Sequence, residues 1–184
     1  MFSFTNPTYE ECFDKEWIVT NGLGGYASSS ITGANTRKYH GLLIVSLNPP
    51  ADRWLLLSKL EESIIYGGKV YEISTNRYPD VIHPEGYKFL SQFVLDPFPR
   101  FIYRIEDVFI EKKVFMIHGE NASVISYDVD PKDLSNELKI CVRPLVNSRK
   151  HHENTHLPLD WEFLEDESKK KHNLKLLSKM LPLS

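Results

Sequence analysis

Short runs of β-branched and aromatic residues, cut at intervals by Gly, Pro, Asn and Asp clusters, set the limits on what this chain can fold into. The intervals are too short for globular helices of three or four turns, whereas five to eight residues is an ordinary strand. The pattern predicts strands over residues 16–20, 41–47, 53–60, 69–74, 101–105, 108–118, 123–129 and 138–143. Two runs alternate cleanly. Ile125, Tyr127 and Val129 share one face, and Leu138, Ile140 and Val142 lie opposite Lys139, Cys141 and Arg143, as on strands with one buried side. Gly67-Gly68 supplies the positive φ of a tight hairpin, and Gly119-Glu120-Asn121 can do the same for a second. Together these features predict an all-β fold, an antiparallel β-sandwich with Leu42, Ile44, Leu55, Leu57, Ile125 and Ile140 in its core. Residues 79–99 contain four prolines, which remove ladder donors and fix φ, so a long structured loop or edge strands are expected there.

The last quarter changes character. Acidic residues (Glu162, Glu165, Asp166, Glu167) precede basic ones (Lys169, Lys170, Lys171, Lys175), which suits a helix dipole, and Leu174, Leu177 and Leu181 form one helical stripe. Residues 161–184 are therefore read as a short C-terminal helix or a disordered tail, behind a sandwich domain over residues 1–160 that is taken to be incomplete. A chain of 184 residues, 41% hydrophobic, suffices for one substantial core. Its net charge of −3, with both signs mixed, offers no positive field for phosphates or anionic lipid, so neither nucleic acid nor a membrane is an expected partner. No run approaches the roughly 20 apolar residues of a membrane span, and the first residues lack a signal-peptide pattern, so a cytoplasmic location is expected. Cys12 and Cys141 match no metal-site spacing and are expected to be two buried thiols. Asn121-Ala122-Ser123 is formally a glycosylation sequon and is read as a plain turn.

The stretch from Glu16 to Glu62 carries the chemistry. Asn21-Gly22-Leu23-Gly24-Gly25 packs three glycines after an apolar strand, so the backbone must turn sharply there or let another group approach closely. A dinucleotide fingerprint is excluded: the third glycine of GxGxxG falls on Ala27, and no βαβ unit surrounds it. Downstream, Asn35-Thr36-Arg37-Lys38-Tyr39-His40-Gly41 gathers hydrogen-bonding side chains and an aromatic ring just before an apolar strand. Such density suits a neutral polyhydroxylated ligand: Asn and Arg are multidentate partners for hydroxyls, and Tyr39 or Trp17 is an aromatic platform for a sugar ring face. A second reading stays open, in which Asn35 and Arg37 satisfy loop backbone groups and Tyr39 belongs to the core.

The run TNGLGGYASSSITGANTRKYHGLL, followed by RWLLLSKLEE and YEISTNRYPDVIHPEGYKFLSQFVLDPFPRFIY, closely resembles the N-terminal domain of prokaryotic-type glycogen debranching enzymes, the amylo-α-1,6-glucosidases. The likeness continues through EKKVFMIHGENASVISY to Arg143-Pro144-Leu145-Val146-Asn147, roughly the first 150 residues. Beyond it, Arg149-Lys150-His151-His152 replaces the Arg-acidic-aromatic-His run usual in the family. The resemblance implies a supersandwich-like domain contacting α-glucan (glycogen or limit dextrin), followed in full-length relatives by a helical (α/α)-toroid domain that bears the catalytic carboxylates and lies outside this chain. With the chemistry of the loop, this makes Asn35, Thr36, Arg37, Tyr39, His40, Trp17 and Asn21 the candidate substrate-binding residues.

Glycoside hydrolysis needs two carboxylates flanking one bond, and no candidate here qualifies. Glu61 and Glu62 are neighbours on a strand and point to opposite faces, Glu111 lies between a strand residue and lysines, and Asp80 and Asp96 are turn formers beside prolines. No catalytic residue and no cofactor are therefore expected. His151, His152 and His156 with Glu153 fit no zinc signature, and no metal site is expected. Two other functions stand beside the substrate-side module of a debranching enzyme: a stand-alone glucan-binding sandwich, and a structural domain that buttresses the catalytic barrel.

Overall fold

A computed structural model of the protein describes residues 2–130, 136–156, 162–165 and 174–177. The elements, in order, are β1 (Phe2–Thr5), α1 (Tyr9–Cys12), β2 (Glu16–Thr20), β3 (Tyr26–Ser30), β4 (Gly41–Asn48), β5 (Ala51–Tyr66), β6 (Lys69–Glu72), β7 (Thr75–Arg77) and β8 (Ile82–Glu85). After a 3-10 turn (Gly86–Phe89) come β9 (Leu90–Leu95), β10 (Pro99–Ile105), β11 (Val108–Met116), β12 (Ser123–Val129), β13 (Leu138–Lys150), β14 (Glu162–Glu165) and β15 (Leu174–Leu177).

Two antiparallel sheets make the sandwich, in the orders β1-β9-β10-β11-β12 and β13-β5-β4-β3-β2, and β7-β8 and β14-β15 form separate hairpins. Strand β5 is 16 residues long; its first half pairs with β4, its last residues with β6, and β13 runs along its other edge. Alternation builds the inner faces. On β11, Val108, Ile110, Val114 and Met116 point inward, while Phe109, Glu111, Lys113 and Phe115 face outward. They meet Leu60, Ile64 and Tyr66 of β5, Trp17 of β2 and Phe93, Phe101 and Tyr103 of β9 and β10 in one core cluster. Each such side chain contributes on the order of 1.5–3 kcal/mol by leaving water.

The expected core is present. Leu42 belongs to the main cluster, Leu57, Ile125 and Ile140 pack against it, and Ile44 and Leu55 are buried beside Gly41. Gly67 and Gly68 both take positive φ, +57° and +76°, and close the β5–β6 hairpin as expected.

Four expectations need correction. Residues 79–99 are neither a loop nor edge strands throughout: β9 is an interior strand between β1 and β10, because Leu90–Leu95 itself contains no proline and keeps its backbone donors for both neighbours. The polar run Tyr26–Ser30, passed over for want of apolar residues, is a strand paired on both sides, its serines buried and hydrogen-bonded. Cys12 is buried and free, with its thiol pushed up to about 11 by burial, but Cys141 is exposed, because the alternation that turns Ile140 inward turns its neighbour out. Within residues 161–184, the described positions pair as the β14–β15 hairpin rather than a helix, since pairing with a neighbour overrides a weak helical preference. No helix among the described residues is long and apolar enough to cross a membrane.

Candidate functional site

The glycine-rich turn closes over Asn21. Its Oδ1 accepts from the backbone N–H of Leu23 (2.9 Å) and of Gly25 (3.0 Å), and its Nδ2 donates to the Glu120 carbonyl (2.9 Å) and to Asn121 Oδ1 (3.0 Å). All four places on the amide are used, and the side chain is fully buried. The glycines answer to neighbours. A Cβ on Gly22 (φ +79°) would lie 2.5 Å from His118 Cε1, one on Gly24 (φ +93°) would collide with the Pro50 carbonyl, and one on Gly25 would lie 2.7 Å from Asn21 Nδ2. Asn121, the sequon residue, also binds both backbone groups of Ser46.

The 35–40 loop is braced the same way. Asn35 accepts from Ser29 Oγ (3.1 Å) and donates to the Ser58 carbonyl (3.0 Å). His40 is only 3% exposed, and its Nδ1 accepts from the Thr36 backbone N–H at 3.1 Å, which assigns the ring proton to Nε2. That Nε2 lies 3.1 Å from Glu16 Oε1 but off the line of a hydrogen bond, and the same oxygen takes Arg37 Nε at 2.6 Å. Burial holds His40 below its ordinary pKa against the opposing pull of Glu16, so the imidazole is neutral near pH 7. Arg37 itself is largely solvent-exposed.

Tyr39 is the aromatic of the loop that reaches the surface, at 38% exposure. Its hydroxyl meets His152 Nδ1 at 3.2 Å, its ring lies 5.4 Å from His151 and 5.7 Å from His152, and Lys38 Nζ stands 5.3 Å over it. Lys38 donates to the His152 carbonyl (2.7 Å), while Arg149 reaches back to the carbonyls of Lys38 (2.6 Å) and Glu153 (2.7 Å). The loop and the turn after β13 thus form one surface. His151 is held below its ordinary pKa, first by burial and then by His152, Arg53, Arg149 and Lys38. The two imidazoles, weighed in the sequence only as metal ligands, serve here as ring neighbours of Tyr39. Among the described residues no three His, Cys, Asp or Glu side chains are grouped to hold a metal ion.

Trp17 lies elsewhere, 2% exposed in the core, with its ring 6.0 Å from Phe101 across the sandwich. With Asn35 it lines an internal cavity of about 30 Å³, far too small for a sugar ring. The other walls include an ionic group that sequence reasoning missed. Glu62 of β5 pairs with Lys112 of β11 (2.6 Å) and accepts a short hydrogen bond from Tyr127, whose pKa rises well above its ordinary value, chiefly by burial. Nearby, Lys59 donates to the Thr75 carbonyl (2.7 Å) and Asn76 Oδ1 (2.6 Å) and faces Glu61. Glu111 is paired with Arg100 and Lys113.

The chain matches the family model described as "Glycogen debranching enzyme N terminal" over residues 15–181. Comparisons with curated proteins and with solved structures found no match. Since the family match spans nearly the whole chain and the fold beneath it is the antiparallel sandwich expected, this protein belongs to the family of glycogen debranching enzyme N-terminal domains.

Proposed function

We propose that the chain is the substrate-side module of a glycogen debranching enzyme, acting in hydrolysis of the α-1,6 branches of glycogen or limit dextrin, and that its glucan contact is the Tyr39 surface. One observation carries the reading: of the ring-bearing side chains singled out in the motif, Tyr39 reaches the surface, while Asn21, Asn35 and His40 are spent on holding the loop. A partly exposed tyrosine with a flanking ammonium and two imidazoles offers an apolar ring face and several hydroxyl partners together. Trp17 and Thr36 take positioning roles in this reading, and Arg37, exposed beside Glu16, is a further hydroxyl donor.

The saturation of Asn21 and Asn35 favours a second reading, in which the loop only buttresses a catalytic barrel. Tyr39→Ala placed in a full-length debranching enzyme separates the two. A glucan contact predicts a fall of roughly ten-fold in kcat/KM on limit dextrin with Tm unchanged, the order of an aromatic contact. A buttress predicts a lowered Tm with activity loss that tracks unfolding, and unchanged kcat/KM would remove Tyr39 from the substrate path.

A further inference from the structure

A cleft of about 720 Å³ opens between α1 and the β7–β8 hairpin, and it shares no lining residue with the Tyr39 surface. It is a wide, open depression rather than an enclosed pocket. Aromatic rings make part of its wall. Tyr9 and Phe13 stack at 5.4 Å with 10° between their planes, Arg77 lies 5.2 Å over the Phe13 ring, and Tyr78 at the rim is 52% exposed. Tyr9 is 8% exposed, and its buried hydroxyl has no hydrogen-bond partner among the described residues. Arg77, Glu10 and Asp80 also line the cleft and make no side-chain hydrogen bond or ion pair among the described residues, although each can make several.

These solvent-facing donors and acceptors stand beside the half-exposed Tyr78 ring and the partnerless Tyr9 hydroxyl, as in a recognition surface. One guanidinium faces three carboxylates, of which Glu85 is paired with Lys88, so the lining carries no net positive charge and an anionic ligand is disfavoured. An apolar ligand would strand the polar groups. What fits is a neutral molecule with apolar ring faces and a belt of hydroxyls. We infer that this cleft is a second carbohydrate-binding site of the domain, taking a short α-glucan segment between the Tyr9–Phe13 stack, Arg77 and Tyr78. The saccharide class follows from the cleft, and the choice of α-glucan rests on the debranching function proposed above. A branched polymer presents many chain ends, and two sites on one domain would let it be held by one branch while another is processed.

The test is a titration of the 184-residue chain with maltoheptaose, followed residue by residue in amide NMR spectra. Saturating shifts at residues 9–13 and 77–83 are expected. Tyr78→Ala and Arg77→Gln, both judged folded by undisturbed spectral dispersion, should each weaken that binding about ten-fold, as loss of a ring face or a charged donor does. Shifts confined to residues 36–40 and 149–152 would overturn the cleft and leave the Tyr39 reading standing. Shifts at the cleft alone would uphold it and remove Tyr39 from glucan contact. No saturating shift at either place would overturn both, and unchanged affinity in the two variants would overturn the cleft by itself.

Discussion

Lys112 shows how a single residue can be legible in principle and still be missed. It occupies an inward position of β11, between Ile110 and Val114, and Glu62 is the matching inward residue of β5 between Leu60 and Ile64. Alternation places both on the buried face, where a charge is tolerated only if paired. Reading Glu62 only as a candidate acid hid that pairing. Lys112→Met, which leaves the carboxylate buried without its cation, should cost about 3–5 kcal/mol in urea denaturation, and adding Glu62→Leu should restore much of it. His40 supplies a pH signature. Its folded pKa lies below 6.5, so as pH falls through that value the unfolded chain takes up a proton that the fold resists. Stability is therefore complete near neutrality and declines below about pH 6.5, in the window down to the lower folded pKa. His151 is shifted the same way, and Glu16 partly opposes the effect at His40. The loss of Tm between about pH 7.5 and pH 5 should thus be smaller, not absent, in His40→Gln than in the wild type.

Elements were legible where composition and alternation agree. Strands β2 and β12 fall on the expected residues, whereas β5 and β13 run longer, because a partner along the whole edge extends a ladder past the apolar run. Strand β3 was hidden because burial of serines depends on hydrogen bonds to Trp17, Asn35 and Ala34, which lie on other segments. Of the candidate site, the loop and its dense polar character were readable, but its joining to the turn after β13 was not: Tyr39 and His152 are 113 residues apart in sequence. The glycine-rich turn was read for the right physical reason, and Gly25 tests it. Gly25 carries no positive φ, so the cost of a side chain there is purely steric, against Asn21 Nδ2 and the Ile44 carbonyl at 2.8 Å. Gly25→Ala should lower stability by about 1–3 kcal/mol in thermal or urea melts, with the sheet content retained in circular dichroism.

For the molecule as a whole, three of the carboxylates weighed as an acid and base are spent on the fold: Glu62 with Lys112, Glu61 with Lys59 and Glu111 with Arg100 and Lys113. Purified chain should accordingly release no glucose from limit dextrin above a buffer control, and measurable release would show that a reacting pair lies among its residues. The topology also orders events as the chain is made. Strands β2 to β6 pair with partners already emerged, but β1 pairs with β9 and the outer edge of β5 with β13. At the usual pace of translation, β1 leaves the ribosome on the order of ten seconds before the strand it needs, and the open edge of β5 waits a similar time for its own. Nascent chains stalled before residue 138 would therefore display a long unpaired strand, and they are the species that a chaperone would hold or that would aggregate.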